Sequence, residues 1–305
     1  MKNALKFQVP PKKRVRMIVD TDCKNEADDQ FALAHHLMTP MFDVRGVNAA
    51  HFETRKAIYG EGRTMKASYD EIVRMLELMD LIGKYPVCRG CLHPLADEKT
   101  PEDSEAARLI IKEAMREEAS PLFVALQGTL TNLASALLIE PRIASRLTTI
   151  WIGGEQYPAG GWEFNLSQDI NAANVVFASG VEVWQVPKPV YKMMNVSLAE
   201  LQYRVAPCGR VGEYLFRQMV ELNDTLGDQK WPHGETWCIG DQPTVGVLLE
   251  DQQRENYTLR NAPLVRPDCT YALRPGARKI RVYDTVDVRL TLEDFYAKLA
   301  LFYGD

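Results

Sequence analysis

Residues 15–29 read Val15-Arg-Met-Ile-Val19-Asp20-Thr-Asp22-Cys-Lys-Asn25-Glu26-Ala-Asp28-Asp29. The apolar run Val15–Val19 predicts a buried strand. Downstream, Ala27, Phe31, Ala34, Leu37 and Met38 recur at helical spacing and predict a helix. Asn25 stands where it can cap that helix, with Asp28 three residues on in an approximate capping box. A strand that runs directly into a helix is the first half of a βα unit. The same stretch sets four aspartates within ten residues at the strand's carboxyl end. Four such anions repel one another unless a cation or a set of donors compensates them. A hard divalent ion with oxygen ligands is the natural compensation, because the cluster offers no pair of thiolates or imidazoles. Asp28 and Asp29 alone also have a plainer use, as acidic groups complementing a helix dipole.

The pattern repeats along the chain. Strand-length apolar runs at Val44–Ala49, Leu122–Leu126, Thr149–Ile152 and Val181–Val186 alternate with helix-period segments such as Ile72, Met75, Leu76 and Met79. Thr131 and Asn132 begin a helix through Leu133–Leu138. Lys279–Val282 and Thr285–Leu290 read as a pair of late strands, and Leu292–Phe302 as a closing helix. These alternations predict an α/β fold: an open, mostly parallel central sheet flanked by helices, with a Rossmann-like core. No repeat or long Gly/Ser linker interrupts residues 1–305, so one domain is expected.

In open parallel sheets, ligands bind beyond the carboxyl ends of the strands. Asp20 and Asp22 follow the first strand, His51 the second, Gln127-Gly128 the third and Gly153-Gly154 the fourth. Polar residues and glycines thus collect at one edge. Gly128-Thr-Leu-Thr131-Asn132 marks a tight strand-to-helix turn. Glu163-Phe-Asn165 follows a glycine-rich loop, and two-residue spacing in an extended segment points both side chains to one face, suited to adjacent hydroxyls. Asp241 stands before Val245–Leu249 as a helix start.

Composition narrows the partners. Hydrophobic residues make up 46% of the 305 and charged residues 25%, enough for a sizeable core and a solvated surface. A net charge of −5 argues against nucleic acid or an anionic membrane as the main partner. No apolar run reaches the roughly 18 residues of a membrane span. Met1–Arg16 carries Lys12, Lys13 and Arg14 without an apolar core, unlike a secretory signal. Cys23, Cys88, Cys91, Cys208, Cys238 and Cys269 are scattered, and the lone Cys88-Arg-Gly-Cys91 lacks the second pair of a zinc site. Reduced cysteines and a cytoplasmic location are expected.

Taken in order, these segments resemble the inosine–uridine-preferring nucleoside hydrolase family. "MIVDTD…DDQFAL" is similar to its N-terminal aspartate motif and "PLFVALQGTLTNLASALLIEPRI" to its Gly-x-Leu-Thr-Asn segment. "TIWIGGEQYPAGGWEFNLSQDINAANVVF" resembles its glycine-rich loop leading to Glu-Phe-Asn, "CIGDQPTVGVLLE" its C-terminal aspartate segment and "LEDFYAKLALF" its closing helix. The resemblance implies a nucleoside hydrolase-like fold and calcium-dependent hydrolysis of the N-glycosidic bond of a ribonucleoside. It implies a calcium ion (Ca2+) held by Asp22, Asp29, Asp241 and the carbonyl of Gln127, with Asp22 as the base for the attacking water. Asp28, Asn165 and Asp241 would bind the 2′ and 3′ hydroxyls of ribose, and Glu163 the 5′ hydroxyl. Family members are usually dimers or tetramers, so a homodimer or homotetramer is expected.

The departures from the family pattern concern the turn at the metal and the recognition of the base. Between Asp22 and Asp28 the chain carries two residues more than the family's turn, bringing Asn25 and Glu26 into reach of the metal shell. His51 and Glu53 stand near the family's second-strand asparagine. Gly240 stands where members with a leaving-group acid carry histidine. A proton for the base would then come from His51, or from Trp231-Pro-His233-Gly-Glu235-Thr-Trp237, with His233 or Glu235 as acid and Trp237 stacked on the base. The tryptophans serve equally well as core or interface anchors. Two other functions remain open from sequence: a catalytically idle ribose- or nucleoside-binding homologue, and a metal-dependent phosphatase using Asp20-Thr-Asp22. The phosphatase leaves Glu163-Phe-Asn165 without a use.

Overall fold

The computed structural model of the chain describes residues 5–227 and 234–304. Its strands are β1 (Val15–Thr21), β2 (Phe42–Ala49), β3 (Val87–Arg89), β4 (Leu122–Leu126), β5 (Thr148–Ile152), β6 (Glu182–Val186), β7 (Asn195–Ser197), β8 (Thr236–Cys238), β9 (Tyr257–Asn261), β10 (Pro263–Val265), β11 (Tyr271–Leu273) and β12 (Lys279–Tyr283). Eight of them form one sheet in the order β3-β2-β1-β4-β5-β6-β12-β9. Every pairing in it is parallel except β12 with β9 at the edge. The connection order reverses between β1 and β4, and a doubly wound sheet opens a crevice at that point. Two antiparallel ribbons, β7 with β8 and β10 with β11, lie outside the sheet.

The sheet is covered on both faces, and the alternation along β1 shows how. Met17 and Val19 point into one apolar layer, with Phe31, Leu33 and Phe295. Ile18 points into the other, with Val124, Leu126, Leu133 and Val176. The first layer is closed by helices Asp29–Met38, Thr64–Leu78 and Val288–Tyr303, the second by Glu105–Ala114, Thr131–Ile139 and Ile170–Ala178. All ten residues of helix Asp29–Met38 are buried, because it lies between the sheet and helix Val288–Tyr303. No helix among the described residues is long and apolar enough to cross a membrane.

Two expectations fail locally. The segment Thr285–Leu290 is not a strand: Asp287 accepts a hydrogen bond from Leu290 N (2.9 Å) and caps helix Val288–Tyr303. The antiparallel partner of β12 is β9 instead, a half-exposed edge strand whose Tyr-Thr-Leu-Arg-Asn has only two apolar positions, Tyr257 and Leu259. Nor does Asn25 cap the first helix. That helix begins at Asp29, and the Asn25 amide reaches the Asp29 carboxylate at 3.4 Å. The cysteines are all free.

The short helix Pro243–Leu249, which follows Asp241, packs on helix Val288–Tyr303 through Gly246. A Cβ at Gly246 would lie 2.2 Å from Thr291 Oγ1 and 3.0 Å from its Cγ2. Gly246→Ala is therefore expected to destabilise the protein by about 1–3 kcal/mol through overpacking. Adding Thr291→Ala should restore part of that loss. Urea unfolding of both variants checks it, and equal losses in the single and double variants would refute the contact.

Candidate active site

At the end of β1 the two-residue period sorts the acidic residues. Asp20 points to the same face as Ile18, where Asn48 (3.0 Å) and Asn132 (3.1 Å) donate to its Oδ2. Burial raises its pKa to about 7. Thr21 points to the other face and donates to Asp29 Oδ1 at 2.5 Å. The chain then leaves the strand, turning through Lys24 N and Asn25 N onto the Asp22 carbonyl. Asp20 thus braces β1, β2 and helix Thr131–Ile139, apart from the acidic cluster beyond the strand end.

Three carboxylates, Asp28, Asp29 and Asp241, are buried and each brings an oxygen within 4.8 Å of the others. Asp28 precedes the first helix, and its Oδ2 accepts from Gly240 N (2.9 Å). Asp241 follows β8 and the Ile239-Gly240 link. Asp22 is wholly buried, and both its carboxylate oxygens have no hydrogen-bond partner. It is backed by Gly128, where a Cβ would meet the Asp22 Cγ at 2.8 Å, so the Gly-Thr-Leu-Thr-Asn turn needs its glycine. The Trp151 indole holds that turn by donating to the Gly128 carbonyl (3.0 Å).

Burial pushes all four carboxyls up in pKa, Asp28 to about 7 and Asp22, Asp29 and Asp241 well above their ordinary range; the neighbouring carboxylates push the same way. Short of donors, oxygen-only and mutually repelling, this set of ligands suits a hard divalent cation. The carbonyl-bearing Gln127 lines the same cavity, beside Asn25 and Glu26.

Above the carboxylates lies a narrow inner cavity of about 30 Å³, opening to an outer one of about 200 Å³. Asp28, Glu26, Phe164, Tyr191 and Gly240 line both. Asn165 lines the inner part, but it sits in helix Phe164–Gln168 rather than in an extended segment. Its Nδ2 donates to the carbonyls of Gln127 (3.0 Å) and Ile152 (2.9 Å). Glu163 caps that helix. Its carboxylate accepts from Gly154 N (2.8 Å), Asn165 N (3.1 Å), Leu166 N (2.9 Å) and Tyr191 Oη (2.9 Å). Those bonds fill the acceptor positions of a carboxylate. Glu163 therefore ties the glycine loop, the short helix and Tyr191 together, and burial raises its pKa despite the three backbone donors.

The residues expected to serve the base are not brought to the cavity. His51 is buried behind it, with Nε2 2.8 Å from Thr131 Oγ1, and burial lowers its pKa to about 3. Trp237 is buried in the apolar layer that holds Val196 and Ile239. Glu235 is exposed, and His233 lies outside the described residues. Glu53 braces its own loop through Thr64 Oγ1 and Gly62 N. Tyr191 was not anticipated. It comes from the turn after β6, at the same sheet edge, and a Cβ on Gly240 would meet its ring at 2.9 Å. Arg55, Trp162, Lys188 and Lys192, which line the outer cavity, were passed over as well. The signal was the edge itself: each follows the carboxyl end of β2, β5 or β6.

The comparisons with known proteins agree with this geometry. Residues 17–293 match the model of the inosine-uridine preferring nucleoside hydrolase family. The chain belongs to that family. It is 25% identical to the pyrimidine-specific ribonucleoside hydrolase RihA of Salmonella typhimurium, over 69% of this chain and 72% of that one. Among solved structures, the purine-preferring ribonucleoside hydrolase from Gardnerella vaginalis superposes with a TM-score of 0.74 at 17% identity, covering 94% of this chain and 99% of the other. A plant nucleoside hydrolase gives 0.70 at 18%, covering 95% and 99%. These superpositions establish a nucleoside hydrolase-like fold.

Two expectations follow from the contacts. Asn165→Ala leaves two strand-end carbonyls without their donor and is expected to cost about 1–3 kcal/mol of stability, read as a lower melting temperature. An unchanged melting temperature would show that the amide's bonds to the backbone are immaterial. The second concerns pH. The folded-state pKa values of Asp22, Asp28, Asp29 and Asp241 are raised, so their contribution to stability is full below about pH 4; that of Asp28 is lost as pH rises through about 7, and those of the other three follow as they ionise. Chelator-treated protein should melt at progressively lower temperature from about pH 5 to about pH 8. A divalent cation should restore most at the upper end, and a flat melting profile without cation would contradict this.

Proposed function

We propose that this chain is a calcium-dependent N-ribosyl hydrolase that cleaves the N-glycosidic bond of a ribonucleoside or related N-riboside, releasing base and ribose. The observation that carries the proposal is the buried set of Asp28, Asp29 and Asp241, with the unpartnered Asp22 carboxylate beside it, of which Asp28 and Asp241 line a cavity on the sheet's carboxyl edge. Membership of the nucleoside hydrolase family supports it.

Asp22, Asp29 and Asp241, with the Gln127 carbonyl, are the residues that would hold calcium. When bound, the ion offsets the carboxylates' repulsion and lowers the pKa of the water that attacks the sugar. Asp22, whose carboxylate has no hydrogen-bond partner, would accept the proton of the attacking water. Asp28, Asp241 and the Asn165 carbonyl oxygen grip the 2′ and 3′ hydroxyls. Glu163 keeps its place beside the ribose, holding Tyr191 and the Asn165 backbone in register. N-glycosidic cleavage passes through an oxocarbenium-like state, and this dense negative floor stabilises the positive charge that develops on the sugar. Glycine at 240 leaves the base without a side-chain acid at that position, and the Tyr191 ring fills the space.

Turnover of a ribonucleoside panel with and without chelator tests the proposal. Hydrolysis should require the cation and return when calcium is added back. Asp29→Ala is expected to abolish calcium binding, by calorimetry, and to lower kcat/KM by at least about a thousandfold. Full activity in a metal-free preparation would overturn the calcium assignment. Nucleoside binding without any turnover would mark the chain as an idle homologue.

A further inference from the structure

A ribose has three hydroxyls to satisfy, and Asp28, Asp241 and Asn165 account for the 2′ and 3′ pair. The family pattern would give the 5′ hydroxyl to Glu163. In this chain Glu163 has no acceptor position left: Asn165 N and Tyr191 Oη donate to its Oε1, and Gly154 N and Leu166 N to its Oε2. A hydroxyl could enter only by displacing one of these donors, which would break the helix cap or release Tyr191.

Glu26 is differently placed. It lines the inner cavity beside Asp28, Asn165 and Asp241, and it lines the outer cavity as well. The residue is half-buried, and among the described residues no hydrogen bond reaches its carboxylate. Lys192 and Arg55 offset part of its charge from nearby. It stands outside the set of Asp28, Asp29 and Asp241, whose oxygens come together. Its neighbour Asn25 turns the side-chain amide to Asp29 (3.4 Å), so Glu26 is the member of this turn that is left facing the cavity without a bond.

The turn itself is held at four carbonyls. Gln30 Nε2 donates to Cys23 O (2.7 Å), Tyr59 Oη to Lys24 O (3.0 Å), Arg55 Nη1 to Asn25 O (2.6 Å) and Gln218 Nε2 to Ala27 O (2.8 Å). These donors come from the first helix, the segment after β2 and helix Gly209–Thr225. Glu26 is thus presented on a fixed backbone. In a β-riboside the 5′ hydroxymethyl group and the heterocycle rise from the same face of the ring, opposite the 2′,3′ diol. A residue that borders both the inner and the outer cavity stands on that face. A hydroxyl both donates and accepts, so it bonds Glu26 as carboxylate or as acid, and burial raises the pKa of Glu26 to about 8.

Resting on the N-riboside reading of this site, we propose that Glu26 binds the ribose 5′ hydroxyl in place of Glu163, and so selects substrates that carry a free hydroxyl there. Glu163 then serves as the brace that keeps Tyr191 and the short helix in position, and the lengthened turn between Asp22 and Asp28 supplies the group that Glu163 cannot.

The test compares uridine with 5′-deoxyuridine, which lacks only that hydroxyl, on the calcium-loaded full chain. Uridine should exceed 5′-deoxyuridine in kcat/KM by at least about tenfold, because a site built to bond a hydroxyl rejects the analogue without it. In Glu26→Ala that ratio should fall to about threefold or less, through loss on uridine alone. Glu26→Asp keeps the charge but withdraws the oxygens by one methylene; it should lower the ratio too, and it decides the matter if the alanine variant does not fold. A wild-type ratio near one, or a ratio that neither variant changes, overturns the proposal and leaves nucleoside hydrolysis standing. Calcium affinity, by calorimetry, should stay within about twofold of wild type in both variants, whereas a loss of about tenfold or more would make Glu26 a metal ligand and overturn the assignment. If no riboside is hydrolysed, the hydrolase reading fails and calorimetry with the two nucleosides decides the contact. Tighter binding of uridine than of 5′-deoxyuridine, lost in Glu26→Ala or Glu26→Asp, upholds it; equal binding, or none, overturns it.

Discussion

Mutual repulsion among buried carboxylates is the constraint around which this molecule is arranged. Asp22, Asp28, Asp29 and Asp241 are all withdrawn from water at one point of the sheet edge. The protein supplies them few donors of its own: Thr21 and Asn25 to Asp29, and Gly240 N to Asp28. A fold that wanted only stability would neutralise such a cluster with arginine or lysine, or replace it with apolar side chains. Among the described residues, no lysine or arginine lines the inner cavity. The cluster is thus poised for a small, strongly charged guest, and its cost falls on the protein without that guest.

That cost is met by rigid support beneath. Asp28 and Asp29 begin a helix buried on all sides, whose His36 Nε2 lies 3.0 Å from Thr244 Oγ1. Thr244 in turn donates to the Asp241 carbonyl (2.7 Å) and accepts from the Gln127 side chain (3.1 Å). His35 binds Gln242 and Asp294, linking the same segment to the closing helix. Burial lowers the pKa of both histidines. A chain of named polar contacts therefore connects β1, β4, the Asp241 turn and helix Val288–Tyr303. Movement of any one of them reaches the carboxylates through bonds shorter than about 3.2 Å, which is why the packing of Gly246 against Thr291 bears on the site.

The sheet and the acidic floor were legible because they follow from short-range pattern. An apolar run ending in Asp-Thr-Asp, a Gly-Thr-Leu-Thr-Asn turn and a late Gly-Asp each sit at a strand's carboxyl end, and parallel topology brings such ends together. Side-chain direction was harder to read. Asp20 and Asp22 have the same parity in sequence, yet the chain leaves the strand after Thr21, so one binds asparagines and the other faces the cluster. Glu163 and Asn165 were read as extended neighbours, whereas the carboxylate of the first caps a helix that contains the second. His51 and Trp237 had the right chemistry for a leaving group, but burial against Thr131 and within the apolar layer removes them from the cavity. The outer wall went unread because its members come from three separate turns and share no local pattern. Tyr191 and Lys192 lie beyond β6, a strand whose carboxyl end carries no acidic marker.

The acidic floor also bears on how a bond at the sugar would break. Departure of a base would transfer electron density outward from the ribose, leaving positive charge at the inner end. The buried carboxylates of Asp28 and Asp241 line that end, and they would stabilise such a charge the more strongly as water is excluded from the narrow inner cavity. A Cβ on Gly240 would meet the Tyr191 ring at 2.9 Å, so a proton for the departing base would have to come from a group at another position.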